Sequence, residues 1–437
     1  MARHPQIYSD VDAILHMQYC RKCVYPENAR PHILLDQDGI CSGCRAVIRR
    51  RDINWEDRER KLREITERYK RYAREEGNAY DCVIPVSGGK DSHFQTWLLT
   101  QKYDMNPLLV SYNHSYNTRI GLRNLRNLID KSGCNHIRFN TNKSTAKRLS
   151  KYQLYKTGDV TWHYHAGIMT FPIRVATMYK IPLIVWGESG YRYKFGMYNA
   201  EDMVEFTEKE RHEHDMRGLQ PEDILSDPMS AEFGITESDL EPFEYPSNDV
   251  IDDLDLRGIY LDNYREWDHI KQTKKMIDEW DFATHPLGTH PSKRQFLCAS
   301  GIEDAATGTH DYLKYLKYGY GRATDHVSRE IRHGRMTREE GIYLVDRYDD
   351  VRPPDLDWFL EFMEMSEKEF EKAVEPFRDE NIWNQSQSGE WELDDWVGNH
   401  PTETEGPGDQ TGADSEAHWT DVANPISRYD DEEFITL

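Results

Sequence analysis

The stretch SGGKDS at residues 87–92 has the residue types that best suit binding of an anion. An apolar run precedes it and a helical pattern follows. Glycines let the backbone approach a ligand closely, and the N-terminus of a helix offers free N–H groups to a negative charge. Two hydroxyls and a lysine add donors and positive charge. The stretch therefore predicts a phosphate-binding loop; an ordinary tight turn between a strand and a helix is the alternative. It is not a Walker A loop, because Asp91 follows Lys90 where Ser or Thr is required and position 84 is Ile.

Four cysteines near the N-terminus form two Cys-x2-Cys pairs, Cys20 with Cys23 and Cys41 with Cys44, and seventeen residues separate the pairs. Each pair can present two thiolates to one ion, and two pairs complete a tetrahedron. This spacing predicts a Zn²⁺ site, with four unlinked thiols as the alternative. A four-thiolate site has no open coordination position, so we expect the metal to be structural.

The elements that must position these residues follow from the apolar pattern. A helix capped by Asn54 and ended by Gly77 is predicted between the cysteines and the loop. From residue 80 onward, short apolar strands alternate with helices. The predicted strands are Asp81–Val86, Pro107–Tyr112, His136–Phe139 and Ile181–Trp186, and the predicted helices between them are Ser92–Tyr103, Arg119–Ser132 and Ala166–Tyr179.

This alternation predicts an α/β fold, a parallel sheet sandwiched by helices. In that class, ligands bind beyond the carboxyl ends of the strands. The segment from about Asn199 to Asn248 is acidic and poorly periodic, and it is predicted to be a surface insertion or mobile lid. Further helices are predicted at Tyr264–Trp280, Asp311–Tyr318 and Thr337–Asp346.

The order strand, SGGKDS loop, helix resembles the pyrophosphate loop of the ATP pyrophosphatases (PP-loop, adenine nucleotide alpha hydrolase-like fold), which cleave ATP between its α- and β-phosphates. The resemblance implies that Ser87, Gly88, Gly89, Asp91 and Ser92 bind pyrophosphate. It also implies that Asp91 is the carboxylate on the Mg²⁺ side. Asp91 and the positively charged Lys90 are therefore predicted to be catalytic.

Longer stretches are similar to the N-acetyl sugar amidotransferases of surface-polysaccharide (lipopolysaccharide) and nonulosonate biosynthesis. They include YCRKCVYPENARP, IPLIVWGES and, most specifically, HDYLKYLKYGYGRATDHVSREIRHGRMTREEGIYLV, and the match runs with gaps from about Tyr19 to Tyr348. The resemblance implies an ATP-dependent conversion of an acetamido group to an acetamidino group. ATP activates the amide oxygen as an adenylate, ammonia attacks, and AMP leaves.

Further candidate residues come from the rest of the chain. Asn113 closes the second strand, where this fold usually meets the nucleotide, and Glu188 follows the strand Ile181–Trp186, where it is either a catalytic or metal-side residue or a surface glutamate. His163 and His165, and the group Arg322, Asp325 and His326, are candidate substrate contacts. The alternatives are satisfied polar residues for the histidines and a salt-bridged turn for the group.

One departure from the relatives occurs beside these histidines. Where a Cys-x-x-Cys pair is expected around Trp162, the chain has Thr161 and Tyr164, which argues against a redox or iron–sulfur role.

These patterns together predict how the chain is divided into domains. The predicted division is a zinc-binding module at 1–52, a connecting helix at 53–78, a PP-loop core at 79–198, an insertion and substrate-binding helical region at 199–350, C-terminal helices at 351–387, and an acidic, disordered tail at 388–437 that is dispensable for chemistry.

Composition limits the partners. The net charge of −23 argues against nucleic acid, which needs clustered basic residues. The sequence has no apolar run of the roughly 18–20 residues that a membrane helix needs, and it lacks an N-terminal signal pattern. We expect a cytoplasmic protein that uses ATP, Mg²⁺ and structural Zn²⁺ and acts on an N-acetylated sugar nucleotide. The surroundings of Cys298 fit no glutaminase elbow and residue 2 is Ala, so a separate glutaminase subunit is expected to supply ammonia.

Two rival functions share some of these features. A tRNA-thiolating or lysidine-forming enzyme would use the same loop, but it needs a basic face, and sulfur insertion usually needs more cysteines than the Cys134 and Cys298 that follow the loop. A non-catalytic zinc scaffold would have no need of an intact SGGKDS loop.

Overall fold

The core of the chain is a five-stranded parallel sheet with the order β3-β2-β1-β4-β5. The computed structural model describes residues 17–190, 195–199, 201–285 and 296–400. The strands are β1 (Cys82–Pro85), β2 (Pro107–Asn113), β3 (His136–Asn140), β4 (Leu183–Trp186) and β5 (Arg257–Tyr260). The predicted α/β fold with a parallel sheet is confirmed. The chain winds outward from β1 to β3 and then returns to the other side of β1. The carboxyl ends of β1 and β4 therefore border the crevice where ligands of such sheets bind.

Helices cover both faces of this sheet. The first six are α1 (Ser42–Arg50), α2 (Trp55–Glu76), α3 (Lys90–Trp97), α4 (Arg119–Ser132), α5 (Lys143–Thr157) and α6 (Trp162–Tyr179). Alternation along the strands explains the two layers: Ile84 and Val185 pack with α2, α3 and α4, whereas Val83 and Ile184 pack with α6. As predicted, Asn54 caps α2 and Gly77 ends it in the left-handed conformation.

Ten further α-helices lie in the rest of the chain that the structure describes. The α-helices are Pro221–Ser226, Pro228–Glu232, Glu237–Leu240, Asn248–Asp253, His269–Trp280, Thr307–Tyr318, Arg322–Arg332, Arg338–Tyr348, Asp355–Met363 and Glu367–Val374. Single turns of π- or 3₁₀-helix occur at Leu98–Lys102, Glu210–Asp215, Leu261–Asn263, Glu241–Phe243, Glu375–Phe377 and Val397–Asn399. No helix in the described ranges is long and apolar enough to cross a bilayer.

The segment between β4 and β5 differs from the predicted lid. Its side chains Met216, Ile224 and Phe243 are buried in a cluster with Trp162 of α6, so it packs against the core. The sheet also continues beyond the predicted core boundary at residue 198, because β5 follows this segment. Sequence reasoning missed β5 because a strand of four residues that begins with Arg and Gly carries no clear period. It also missed α5.

The C-terminal region is ordered further than predicted. Strand β6 (Trp383–Gln385) pairs antiparallel with β7 (Trp391–Leu393), and Val397 is buried against the cysteine module. The predicted boundary of a disordered tail at Ser388 is therefore wrong for residues 388–400. The acidic composition predicted disorder because the few apolar residues, Trp391 and Val397 among them, are widely spaced among acidic residues.

Candidate functional site

A cavity of about 160 Å³ lies at the crevice between the carboxyl ends of β1 and β4. The predicted loop and Glu188 line it from the sheet side. The helix Arg322–Arg332, called the pocket helix below, lines it from the C-terminal region. The fold thus brings together residues that are more than two hundred positions apart in the sequence.

The loop is held in shape by its own hydroxyl groups. Gly88 N–H donates to Ser92 Oγ at 3.2 Å, Ser92 Oγ–H donates to the Gly89 carbonyl at 2.9 Å, and Gly89 N–H donates to Ser87 Oγ at 3.2 Å. Gly88 has φ +90, and a Cβ there would lie 2.7 Å from the carbonyl oxygen of Gly121. Position 88 therefore requires glycine for backbone reasons.

Gly89 is required for a different reason. It caps α3 with φ −75, which any residue adopts, but a Cβ there would lie 2.8 Å from Glu303 Oε1. The missing side chain leaves open the space over the helix N-terminus, where an anion is favoured. In the structure this space holds the Glu303 carboxylate.

Sequence reasoning missed Glu303, which lies 216 residues from its loop partner. Ser87 Oγ–H donates to Glu303 Oε1 at 3.0 Å. Its backbone is fixed, since Thr118 N–H donates to the Glu303 carbonyl at 3.1 Å. Burial raises the pKa of the Glu303 carboxyl, and the hydrogen bond from Ser87 and the charge of Lys90 partly offset that rise. No local spacing in the sequence points to this contact.

The three residues predicted to be catalytic all line the cavity. Lys90 and Asp91 form an ion pair at the start of α3, and about a third of the Asp91 side chain is exposed. Glu188 reaches the cavity from the segment after β4. The cavity thus places carboxylates on both sides of the crevice between β1 and β4.

The pocket helix supplies the opposite wall. Arg322, Asp325 and His326 line the cavity, as do Arg329 and Arg332, which sequence reasoning missed. Successive members of this set are three, one, three and three residues apart, which places all five on one face of the helix. That spacing is the signal that could have added the last two arginines to the prediction.

Asp325 is held by a network of partners. Lys314 Nζ donates to its Oδ2 at 2.6 Å, and the Tyr25 hydroxyl donates to its Oδ1 at 2.7 Å. Burial alone raises the pKa of Asp325, but Lys314 and Arg322 outweigh it and lower the pKa to about 2. Arg322 Nε donates to Asp311 Oδ1 at 2.9 Å. The group is both salt-bridged and part of the cavity wall.

Three other predicted site residues are not among the described residues that line this cavity. His163 is buried, its Nε2 lies 3.0 Å from the Tyr116 hydroxyl, and burial lowers its pKa to about 3. The ring of His165 stacks on Tyr164 with 4.5 Å between centroids. Asn113, at the end of β2, donates from Nδ2 to Asn140 Oδ1 at 2.6 Å.

The four N-terminal cysteines form one buried cluster. All four Sγ atoms lie within 4.8 Å of one another, with 3.6 Å between Cys23 and Cys41 and 3.9 Å between Cys20 and Cys44. A tetrahedral ion with bonds of about 2.3 Å requires edges of about 3.8 Å between the sulfurs. The residues therefore fit a tetrahedral four-thiolate metal site.

Two arginines of the C-terminal region hold this cluster. Arg332 donates from Nε to Cys44 Sγ and from Nη2 to Cys41 Sγ, both at 3.4 Å. Arg338 Nε donates to the Cys23 carbonyl at 3.0 Å. Because Arg332 also lines the cavity, the cysteine module supports one of its walls.

Comparison with known proteins finds a family model that is similar to the C-terminal region. Residues 292–397 match the family model described as LPS biosynthesis protein WbpG-like, C-terminal domain. This segment contains Glu303 and the whole pocket helix, so it supplies the wall opposite the loop.

Two individual proteins are also similar to parts of this chain. An uncharacterized protein of Methanocaldococcus jannaschii is 29% identical over 109 residues, which is 25% of this chain. The chain spans only 38% of that relative's length. The structure of NMN synthetase from Francisella tularensis matches with 14% identity and a TM-score of 0.25, covering 54% of this chain and 99% of that one. A TM-score of this size does not indicate a shared fold, so the fold assignment depends on the sheet itself.

Proposed function

We propose that the protein is an ATP-dependent amidotransferase that converts the acetamido group of an N-acetylated sugar nucleotide into an acetamidino group. One observation carries the proposal: the SGGKDS loop, at the crevice between β1 and β4, shares a cavity with the segment that matches an LPS-biosynthesis family model. A phosphate-binding loop alone suggests nucleotide chemistry, and the matched segment suggests a sugar substrate.

The reaction balances as two displacements at one substrate. The acetamido oxygen attacks the α-phosphorus of ATP and pyrophosphate leaves. Ammonia then attacks the activated carbon, a proton is lost, and AMP leaves with the former amide oxygen. An amide carbon is a poor electrophile, so the adenylate makes the second step possible.

The loop and its neighbours provide the groups for the first step. The N–H groups at the start of α3, with Ser87, Ser92 and Lys90, would bind the departing pyrophosphate. Asp91 would hold Mg²⁺, which offsets negative charge on the phosphates. Glu188, on the other side of the crevice, is another carboxylate that lines this cavity.

Entry of pyrophosphate requires a change at Glu303. Its carboxylate now occupies the space over Gly89, and two anions would repel each other there. We infer that the Glu303 side chain moves away as the nucleotide binds, while its backbone stays fixed to Thr118.

Ammonia and zinc complete the proposal. A separate glutaminase subunit would supply ammonia in the cytoplasm, and Zn²⁺ at the four cysteines would fix the module that carries Tyr25 and supports Arg332.

The test is product analysis. With ATP, Mg²⁺, ammonium and an N-acetylated sugar nucleotide, the enzyme should form AMP and pyrophosphate without added glutamine or glutaminase. Formation of ADP and phosphate would contradict the proposal.

A further inference from the structure

Three arginines on one face of the pocket helix line the cavity, and they differ in the hydrogen-bond partners of their guanidinium groups. Arg322, Arg329 and Arg332 are separated by seven and three residues, so they share one side of the helix. The chain as a whole has a net charge of −23. Three guanidinium groups therefore lie along one wall of the cavity, together with the Asp325 carboxylate.

Two of these arginines are already paired. Arg322 Nη2 lies 2.7 Å from Asp311 Oδ1, and its Nη1 lies 3.5 Å from Asp325 Oδ2. Arg332 contacts the thiols of the cysteine cluster. Both side chains have structural partners that hold them whether or not a ligand is present.

Arg329 is different. Its side chain is about nine-tenths buried, and its partner is Glu330, whose Oε1 lies 3.6 Å from Arg329 Nε. That distance is beyond a normal hydrogen bond. Glu330 is bound more closely by Arg335, whose Nε donates to Oε2 at 2.7 Å. Within the part of the chain that the structure describes, Arg329 Nε is buried and has no hydrogen-bond partner.

A buried guanidinium that lacks acceptors is costly, and such groups are usually satisfied by a ligand or water. A planar fork of N–H donors matches a phosphate group and binds it through two parallel hydrogen bonds. The SGGKDS loop, which includes Lys90 and is predicted to bind phosphate, lines the same cavity as Arg329.

We propose that Arg329 binds a phosphoryl group inside the cavity. The inference deepens the proposed function and rests on it for the nature of the ligand. The phosphoryl group is either the α-phosphate of ATP, which stays on AMP, or the diphosphate of the sugar nucleotide. It is separate from the pyrophosphate that the loop binds.

The experiment is titration calorimetry on the full chain with Mg²⁺ and three probes: AMP, UDP and pyrophosphate. Arg329→Gln is compared with Arg335→Gln, a matched control because both arginines pair with Glu330 but only Arg329 lines the cavity. Metal content and thermal unfolding show that each variant is folded.

Arg329→Gln should weaken binding of AMP or UDP at least about tenfold, while pyrophosphate affinity changes less than about twofold. Loss for AMP assigns the site to the α-phosphate, and loss for UDP assigns it to the sugar nucleotide. Arg335→Gln should leave all three affinities within about twofold.

Unchanged AMP and UDP affinities in Arg329→Gln, or an equal loss in Arg335→Gln, would overturn the inference. If the wild type binds pyrophosphate but neither nucleotide, the inference fails and the loop proposal stands. If the wild type binds none of the probes, both fail.

Discussion

The loop Ser87–Ser92 and the pocket helix form two walls of one cavity, but their polar groups are satisfied in different ways. Most bonds of the loop hydroxyls lie within the loop, as those of Ser92 with Gly88 and Gly89 do, and the exception is the bond that Ser87 donates to Glu303. The pocket helix depends on distant partners: Tyr25 lies 300 residues from Asp325, and Cys44 lies 288 residues from Arg332. The shape of the loop is encoded largely by its own residues, whereas the other wall forms only when distant parts of the chain have come together.

This difference predicts how substitutions in each wall affect activity and stability. A change in the loop should impair chemistry while the fold persists, because few distant contacts depend on its side chains. A change in the supports of the pocket helix should disturb structure and activity together.

The largest effect on the loop wall is expected from Asp91→Asn. The change keeps the shape but removes the charge that would hold Mg²⁺, so the rate of AMP formation should fall at least about 100-fold, about 3 kcal/mol of transition-state stabilisation. Steady-state kinetics measures this loss. Asp130→Asn is the control, since Asp130 is exposed and pairs with Arg126 outside the cavity. Unchanged turnover in Asp91→Asn would remove Asp91 from the mechanism.

On the other wall, the double variant Cys41→Ser/Cys44→Ser should lose zinc. Elemental analysis should give one zinc per wild-type chain and almost none in the variant, because a serine hydroxyl does not replace a thiolate ligand. AMP formation should fall as well, since Arg332 and Tyr25 lose their support. The double variant Cys134→Ser/Cys298→Ser, outside the cluster, should retain the metal. Zinc bound equally in both double variants would refute the assignment.

Within the loop, the two glycines should separate stability from binding. Gly88→Ala meets the carbonyl of Gly121 at a positive φ and should lower the free energy of unfolding by about 2 kcal/mol or more. Gly89→Ala meets only the movable end of Glu303. It should change stability by less than about 1 kcal/mol and weaken pyrophosphate binding at least about tenfold.

Denaturant unfolding and calorimetry distinguish these outcomes. If Gly89→Ala binds pyrophosphate like the wild type, the space over residue 89 is not the phosphate site.

The smallest effect is expected from removing residues 401–437. Their acidic composition predicts no contribution to the site, so AMP formation should stay within about twofold of the full chain. A chain that ends at residue 387 also loses Trp391–Leu393 and Val397, and its melting temperature should fall by at least about 5 °C. Equal behaviour of the two truncated chains in thermal unfolding would contradict the packing of residues 388–400.

The sequence correctly predicted the features that depend on residues close together in the chain. The caps of α2, the bounds Arg119–Ser132 of α4, the parallel sheet and the four-cysteine cluster follow from local patterns. The placement of the loop beyond the carboxyl end of β1 follows from the same alternation of strands and helices, whereas the strand order that puts β4 beside β1 was not predicted.

What it could not recover depends on pairing across the chain. Glu303 reaches the loop only because Thr118 fixes its backbone beside α4. His163 looked suited to bind a substrate, but the fold buries it against Tyr116. Arg329 differs from Arg322 and Arg332 in its hydrogen-bond partners, which only the folded structure shows. Burial and the use of hydrogen-bond donors are properties of the packed chain, which a single sequence does not show.

The central claim is that the acetamido oxygen is adenylated in this cavity, and isotope transfer tests it most directly. An N-acetylated sugar nucleotide that the enzyme consumes is labelled with ¹⁸O in its acetamido group and supplied with ATP, Mg²⁺ and ammonium. Mass spectrometry should find the ¹⁸O in the phosphate of AMP, one atom for each acetamidino product. Label in inorganic phosphate or in water would show that the oxygen was not adenylated and would contradict the account.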